Sequence, residues 1–337
     1  MAKRVRLADE FCEKLMRRIA TTLLIALGIV AAGWRPYVEA KPVTLAYQTP
    51  TLSGILPSFV GGELGFFAAE GLELRQVFVR GGPTATAALI SGDVDFALIS
   101  GVASVRAIVQ GAPLIIVGGS QPYMDYTLIG AKGIASLNDL KGKTVGVTGA
   151  GGVAEYAAVE GLARKGLVRD RDYKILYGVG NSPARAQGLE AGRMQASPFS
   201  FMERVDLEQK GFPLLMDIGK VITGFPFVVI VSSRKKAETD PEGTTAFLRA
   251  MKRGMELVKT DKEKVIATVV KKGTYGDPTT IRKVVEQFSG VYSISITNED
   301  IDALIVAGRI EAEAKKFGGT ERFFIGAPAT KALGQSR

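Results

Sequence analysis

Two α/β lobes, each a mostly parallel sheet with flanking helices, are the fold class that the sequence predicts. Three observations predict it. Short β-rich apolar runs alternate with segments of helical spacing, and the alternation restarts partway along the chain. The 337 residues are long for one hydrophobic core and comfortable for two. The 40 glycines suit a fold with many tight turns between strands and helices.

The first 40 residues stand apart. Arg17 and Arg18 precede an uncharged apolar run, Ile19–Ala32, and Val38-Glu39-Ala40 fits a small-x-small cleavage site. A positive start, a short apolar run and a small-residue cut describe a secretory signal peptide. The run falls short of the roughly 20 residues that span a bilayer. A leader over residues 1–40, removed to leave a mature chain in the periplasm, is therefore expected. Met16, directly before the basic pair, is a second candidate start.

Val43–Tyr47 reads as the first strand, and Ile55–Phe67 has helical spacing with Ser53 as its N-cap and Glu70-Gly71 as its stop. Leu72–Phe78 alternates as a second strand. Thr84–Ser91 is a helix stopped by Gly92, Phe96–Ile99 a buried strand, Val102–Gln110 a helix stopped by Gly111, and Leu114–Val117 a strand. The second run has strands at Thr127–Ala131, Thr144–Thr148, Tyr173–Tyr177 and Gln195–Ser197. Between them lie a helical turn at Leu137–Leu140 and helices at Val153–Lys165 and Pro183–Ala191. Phe225–Val231 is again β-rich. Four helical segments follow: Pro241–Thr260, Lys262–Lys272, Thr279–Gln287 and Asn298–Phe317. The economical arrangement is one lobe from residues 41–124 and 228–337 and a second from 125–227. The chain would cross near 121–126 and 224–228.

Composition leans toward binding. The chain has no histidine, and its one cysteine, Cys12, lies in the expected leader. The commonest general base, the commonest metal ligand and any thiol nucleophile or disulfide are thus removed. No catalytic residue, cofactor or metal is expected. The formal charge is +9, of which about +6 belongs to residues 41–337, and the basic residues are scattered, mostly beside acids. A nucleic-acid partner would want them gathered on one face among aromatics, so none is expected.

Several blocks carry a family resemblance. Glu63-Leu64-Gly65-Phe66-Phe67-Ala68-Ala69-Glu70-Gly71-Leu72 is one, and Gly81-Gly82-Pro83 followed by Ala88–Ala97 (ALISGDVDFA) is another. Leu137–Val147 (LNDLKGKTVGV) is a third. Leu189–Ala196 (LEAGRMQA) is a looser fourth, with Gln195 where an acid is usual. In order and content these blocks, over roughly residues 43–232, resemble the nitrate/sulfonate/taurine and thiamine-precursor group of periplasmic binding proteins. The resemblance implies a two-lobed periplasmic-binding-protein type II fold. It also implies a small sulfonate-, carboxylate- or pyrimidine-like ligand, a membrane permease of an ABC importer as partner, and a monomer in solution. The blocks themselves read mainly as folding signals.

In open parallel sheets ligands sit beyond the carboxyl ends of strands, where helix N-termini offer free N–H groups. The first three strand ends place Gln48, Thr49, Thr51, Gly82, Thr84, Ser100 and Gly101 there. Tyr123 and Phe225 sit near the crossings, and the second run contributes Gly149, Gly151, Gly152, Ser197 and Phe199. Each hydroxyl could equally cap a helix, and each aromatic could be core. No arginine stands plainly in these loops, with Arg80 and Arg185 close by.

Other readings fit less well. Thr144–Ala154 contains a formal G-x-G-x-x-A pattern, but Asp170 and Asp172 precede the next strand instead of closing it, as a ribose-binding acid should. No Gly-Lys-Ser/Thr follows these glycines, so a phosphate-binding P-loop is absent. The thiamine-pyrimidine synthase that resembles these blocks depends on histidine and clustered cysteines. Menaquinone-pathway enzymes of this fold act in the cytoplasm. A sensor that reports ligand to a membrane receptor stays open beside transport.

Overall fold

The structure is a computed structural model and describes residues 40–48, 51–150, 152–326, 331 and 334. The expected leader lies outside the described residues but for Ala40.

The first sheet is built from β1 (Lys41–Tyr47), β2 (Leu72–Phe78), β3 (Phe96–Ser100) and β4 (Leu114–Gln121). Between these strands run α1 (Leu52–Glu63), α2 (Phe66–Ala69), α3 (Gly82–Ser91) and α4 (Gly101–Val109). After Gln121 the chain leaves this sheet. The second contains β5 (Tyr126–Gly130), β6 (Lys143–Gly146), β7 (Tyr173–Leu176), β8 (Ala196–Ser200) and β9 (Leu214–Asp217). Its helices are α5 (Val153–Ala163), α6 (Ser182–Glu190), α7 (Phe201–Gln209) and the short α8 (Ile218–Val221). The chain then returns through β10 (Val228–Ser233). It ends in α9 (Arg234–Thr239), α10 (Pro241–Thr260), α11 (Lys262–Lys272), α12 (Pro278–Phe288), α13 (Asn298–Gly308) and α14 (Glu311–Phe317).

The strand orders are β2-β1-β3-β10-β4 and β7-β6-β8-β5-β9. In each sheet three strands are parallel, β2-β1-β3 and β7-β6-β8. The fourth position belongs to the strand that has just crossed over. It arrives from the other sheet, enters from the opposite end, and pairs antiparallel on both sides. Both sheets are therefore mixed, and the fold is two-lobed α/β.

Local chemistry moves some of the predicted boundaries. The helix expected over Ile55–Phe67 starts at Leu52 and breaks at Gly65, whose φ of 73° suits glycine. Its N-cap is Thr51, which accepts from the Gly54 N–H, so Ser53 falls inside the helix. The single helix expected over Asn298–Phe317 is two, because Arg309 turns left-handed at φ 54°. The strand expected over Gln195–Ser197 runs on to Ser200.

Core packing ties the C-terminal helices to the first sheet. Phe247 of α10 stacks on Phe96 of β3, with centroids 4.0 Å apart. Losing such a buried ring costs about 3–5 kcal/mol. Beneath the second sheet a smaller cluster joins Ile129, Leu189, Met194, Phe199, Leu207 and Phe212.

Candidate ligand cleft

Four helix starts face the space above the parallel strand ends. Gly81, at φ 82°, turns the end of β2 into α3. Ser100 ends β3 and caps α4, accepting from the Ala103 N–H. Gly152 precedes α5, and Asn181 caps α6 by accepting from the Ala184 N–H. The residue types follow from the geometry, since each start needs a side-chain acceptor or a backbone without a Cβ.

A cavity of about 400 Å³ is lined by Gln48, Gly82, Thr86, Ser100, Arg106, Gln110, Gly152 and Tyr156, among others. A second of about 60 Å³ shares Gln48, Gly152 and Val153 with it and adds Arg80, Tyr126, Thr148, Asn181, Ser182 and Arg185. A third, narrow space at the crossings joins Gln48 to Thr51, Gln121 and Asp125. Gln48 thus stands where all three meet.

Several buried polar atoms here have no partner within the described structure. They are both amide atoms of Gln48, Nε2 of Gln121 and the hydroxyl of Tyr156. Such groups are expensive to leave unpaired in a dry interior. Gly82 is part of the same arrangement. A Cβ there would meet Oε1 of Gln48 at 3.1 Å, so only glycine leaves that amide free to reorient.

Arg185 is the largest fully buried side chain among the described residues, 1% exposed. Its Nε bonds Ser197 Oγ, Nη1 bonds Thr148 Oγ1 and the Gly180 carbonyl, and Nη2 bonds Ser182 Oγ and the Pro198 carbonyl. These acceptors are all neutral, and the Glu203 carboxylate attracts the guanidinium without pairing with it. Burial draws its pKa below the usual arginine range. Arg106 likewise gives Nε and Nη2 to the carbonyl of Gly308, at 3.0 and 2.8 Å. Among the described residues neither arginine, nor Arg80, forms an ion pair, and no Asp or Glu lines the first two cavities. The carboxylate of Asp125 lines the narrow space, accepts from Ser53, and is pushed up to about 6 by burial.

The residues expected from sequence are distributed unevenly. Gln48, Gly82, Ser100 and Gly152 meet in the main cavity, and Thr51 lines the narrow space. Thr84 is exposed on α3, while Thr86 lines the cavity. Gly101 is packed away, since a Cβ would lie 2.7 Å from the Pro226 carbonyl and 2.6 Å from Leu304. Ser197 serves Arg185 and the Gly146 carbonyl from beneath the strand ends. Phe199 is fully buried under the Arg185 guanidinium, and Phe225 supports the Tyr156 ring edge-on. Tyr123 lines a different cavity, of about 450 Å³, with Phe201 and Phe288. Gly149 has open space where its Cβ would be. Thr49 and Gly151 lie outside the described residues.

From sequence no arginine stands plainly in the strand-end loops, with Arg80 and Arg185 close by. Arg106, which the sequence did not single out, lines the main cavity from α4, and Arg185 lines the smaller one from α6. A lone arginine in the apolar stretch GVASVRAIV was the available signal for Arg106. Arg185 lies one helical turn after Ser182 at the start of α6, so it returns to the same end of the helix.

Comparison with known proteins agrees with this architecture. The alkanesulfonate-binding protein SsuA of Xanthomonas axonopodis pv. citri, bound to MOPS, superimposes with a TM-score of 0.68 at 19% identity, covering 86% of this chain and 98% of that one. The ligand-binding component of an ABC-type import system from Staphylococcus aureus, with zinc bound, gives 0.68 at 13% identity over 87% and 99%. The periplasmic nitrate-binding protein NrtA of Synechocystis PCC 6803 gives 0.68 at 12% over 88% and 89%. At these identities the likeness establishes the fold. A curated relative, the 4-amino-5-hydroxymethyl-2-methylpyrimidine phosphate synthase of Schizosaccharomyces pombe, is 27% identical over 157 residues, which are 46% of this chain and 44% of that protein. The family described as NMT1/THI5 like matches residues 53–265, most of the described chain, and the protein belongs to that family.

Proposed function

We propose that the protein binds a small organic anion outside the cytoplasm and delivers it to the permease of an ABC importer. One observation carries the anionic part. Arg80, Arg106 and Arg185 surround two joined cavities that no carboxylate lines among the described residues. Of the three only Arg185 is buried, and a buried cation without an ion pair is costly; an anion arriving from solvent would supply the counter-charge. The starts of α3, α4, α5 and α6 add their partial positive charge, roughly 0.3–1 kcal/mol each. The free amide of Gln48 and the hydroxyl of Tyr156 would hold the organic part by directed hydrogen bonds.

The reading includes export by a leader over residues 1–40, a monomer in the periplasm, and lobes of residues 41–124 with 228–337 and of 125–227 that hinge at the crossings. Binding from both sides favours the closed form by population shift. The structural neighbours named as binding components support transport. The match to a synthase makes chemical change of the ligand worth measuring, and recovery of the bound compound unaltered by mass spectrometry is the expected result.

Melting curves test the ligand class. Butanesulfonate and butyrate should stabilise the protein while butanamide should not. An anion at 100 times its Kd adds about 2.7 kcal/mol. Arg106→Gln, at an exposed position on α4 whose loss should leave the fold intact, should weaken the effect at least tenfold. Stabilisation by the neutral amide alone, by polyanions alone or by metal ions alone would overturn the proposal.

A further inference from the structure

Arg309 and Glu160 meet across the mouth of the cleft. Nη2 of Arg309 lies 3.1 Å from Oε2 of Glu160. Arg309 closes α13, which packs on α4 of the first lobe, and Glu160 lies in α5 of the second. Among the described residues it is the one ion pair that joins an element of the first sheet's lobe to an element of the second's. It stands at the rim of a cavity of about 500 Å³, which shares Arg106, Gly152 and Tyr156 with the inner cavity.

Both partners are held in place before they meet. Glu160 also accepts from Nε of Arg164 at 3.0 Å, and Arg164 is anchored in turn on the Val221 carbonyl at 2.9 Å. Arg309 stands at φ 54° and ψ 46°, where glycine is usual. Its N–H returns to Val306 O, and the Ile310 N–H returns to Ile305 O, the hydrogen-bond pattern of a helix end closed by a left-handed residue. The preceding carbonyl, Gly308 O, is gripped by Arg106, which itself lines the ligand cavity. A side chain other than glycine in this conformation is uncommon and costs energy. The helix end would close at least as well with glycine, so its own folding supplies no reason for arginine.

We infer that Arg309 is a positioning residue that latches the two lobes through Glu160, with Arg106 linking the latch to the occupied cleft. The latch biases the free protein toward the closed arrangement and slows exchange at the cleft mouth. Arg309 is 74% exposed and Glu160 17%, so the attraction is open to screening by salt. An ion pair of this exposure shifts an equilibrium by about two- to fivefold. The inference rests on the two-lobed fold and not on the identity of the ligand.

Its test needs no ligand. Spin labels at Lys174→Cys and Lys315→Cys, with Cys12→Ser in the full chain, report the distance between the lobes by pulsed electron resonance. Arg309→Gly and Glu160→Gln should each move about two- to fivefold more of the population to long distances. Arg309→Lys, which keeps the charge, should stay closer to the parent. Raising sodium chloride from 20 mM to 1 M (the probe salt) should widen the parent and leave Arg309→Gly unmoved. Arg309→Gly should melt at or above the parent temperature, because glycine accepts this backbone conformation. A distance distribution unchanged in Arg309→Gly, or a salt response equal in both proteins, would overturn the inference. So would a loss of melting temperature in Arg309→Gly with unchanged distances, which would make the residue structural only. Failure here would leave the anion reading standing, and failure of the melting screen would leave the latch standing.

Discussion

Asp125 shows how one half-buried residue can shape the behaviour of the crossing. Desolvation is the main cause that pushes its carboxyl up to about 6, opposed by the hydrogen bond from Ser53 and assisted by the nearby charge of Glu203. The hydroxyl of Tyr292, itself raised by burial and by Asp125, donates to the Ser53 carbonyl and closes the group. The folded protein therefore keeps a proton that the unfolded chain releases near pH 4. Stability contributed by this residue falls as pH rises through the window from about 4 to 6, then stays level. Asp125→Asn should remove that slope. It should make the protein about 1–3 kcal/mol more stable than the parent at pH 8 and leave it about equal at pH 4, as read from urea melts. A parent whose stability rises across the window would contradict the assignment. The sequence offered no sign of this, since Asp125 stands in a loop-like QPYMD segment with nothing to mark it as half-buried.

The contact between α1 and α10 depends on what is missing from it. A Cβ on Gly254 would fall inside the van der Waals envelope of the Pro57 carbonyl, and one on Gly61 would lie 3.7 Å from the Ala250 carbonyl of α10. Two helices approach this closely only where side chains are absent. Gly254→Val should force them apart and cost about 1–3 kcal/mol, measured as a lowered denaturant midpoint with an unchanged slope. The α10 and α11 limits were legible, since Pro241–Thr260 and Lys262–Lys272 carry strong helical spacing with Asp240 and Asp261 as caps. Gly65 and Arg309 were less so. The helical pattern continues through both positions, and only backbone angles of 73° and 54° reveal the breaks. In the cleft, glycines and hydroxyls at strand ends could be read from turn chemistry. Turn chemistry did not reach Arg106 or Tyr156, because each sits inside a helix; for Arg106 the lone charge in an apolar stretch was the one signal.

The whole molecule is nested. Every strand of the second sheet falls between Tyr126 and Asp217, whereas the first sheet needs Lys41–Gln121 and then Val228–Ser233. β10 lies between β3 and β4, so without it β4 loses its only strand partner among the described residues. A fragment of residues 122–226 should therefore fold alone, with cooperative melting and protected amides in β5, β6 and β8. A chain cut after Phe227 should show protection in the second sheet and little in β4. Equal protection of both in the truncated chain would refute this. The arrangement sets a chronology. A ribosome that has released Asp217 has emitted every strand of the second sheet, while the first still lacks β10, the strand that joins β4 to the rest. The segment Lys41–Gln121 must wait, unfinished, for its later partner, and helpers that hold unfolded segments would find their binding sites there and not in the younger lobe.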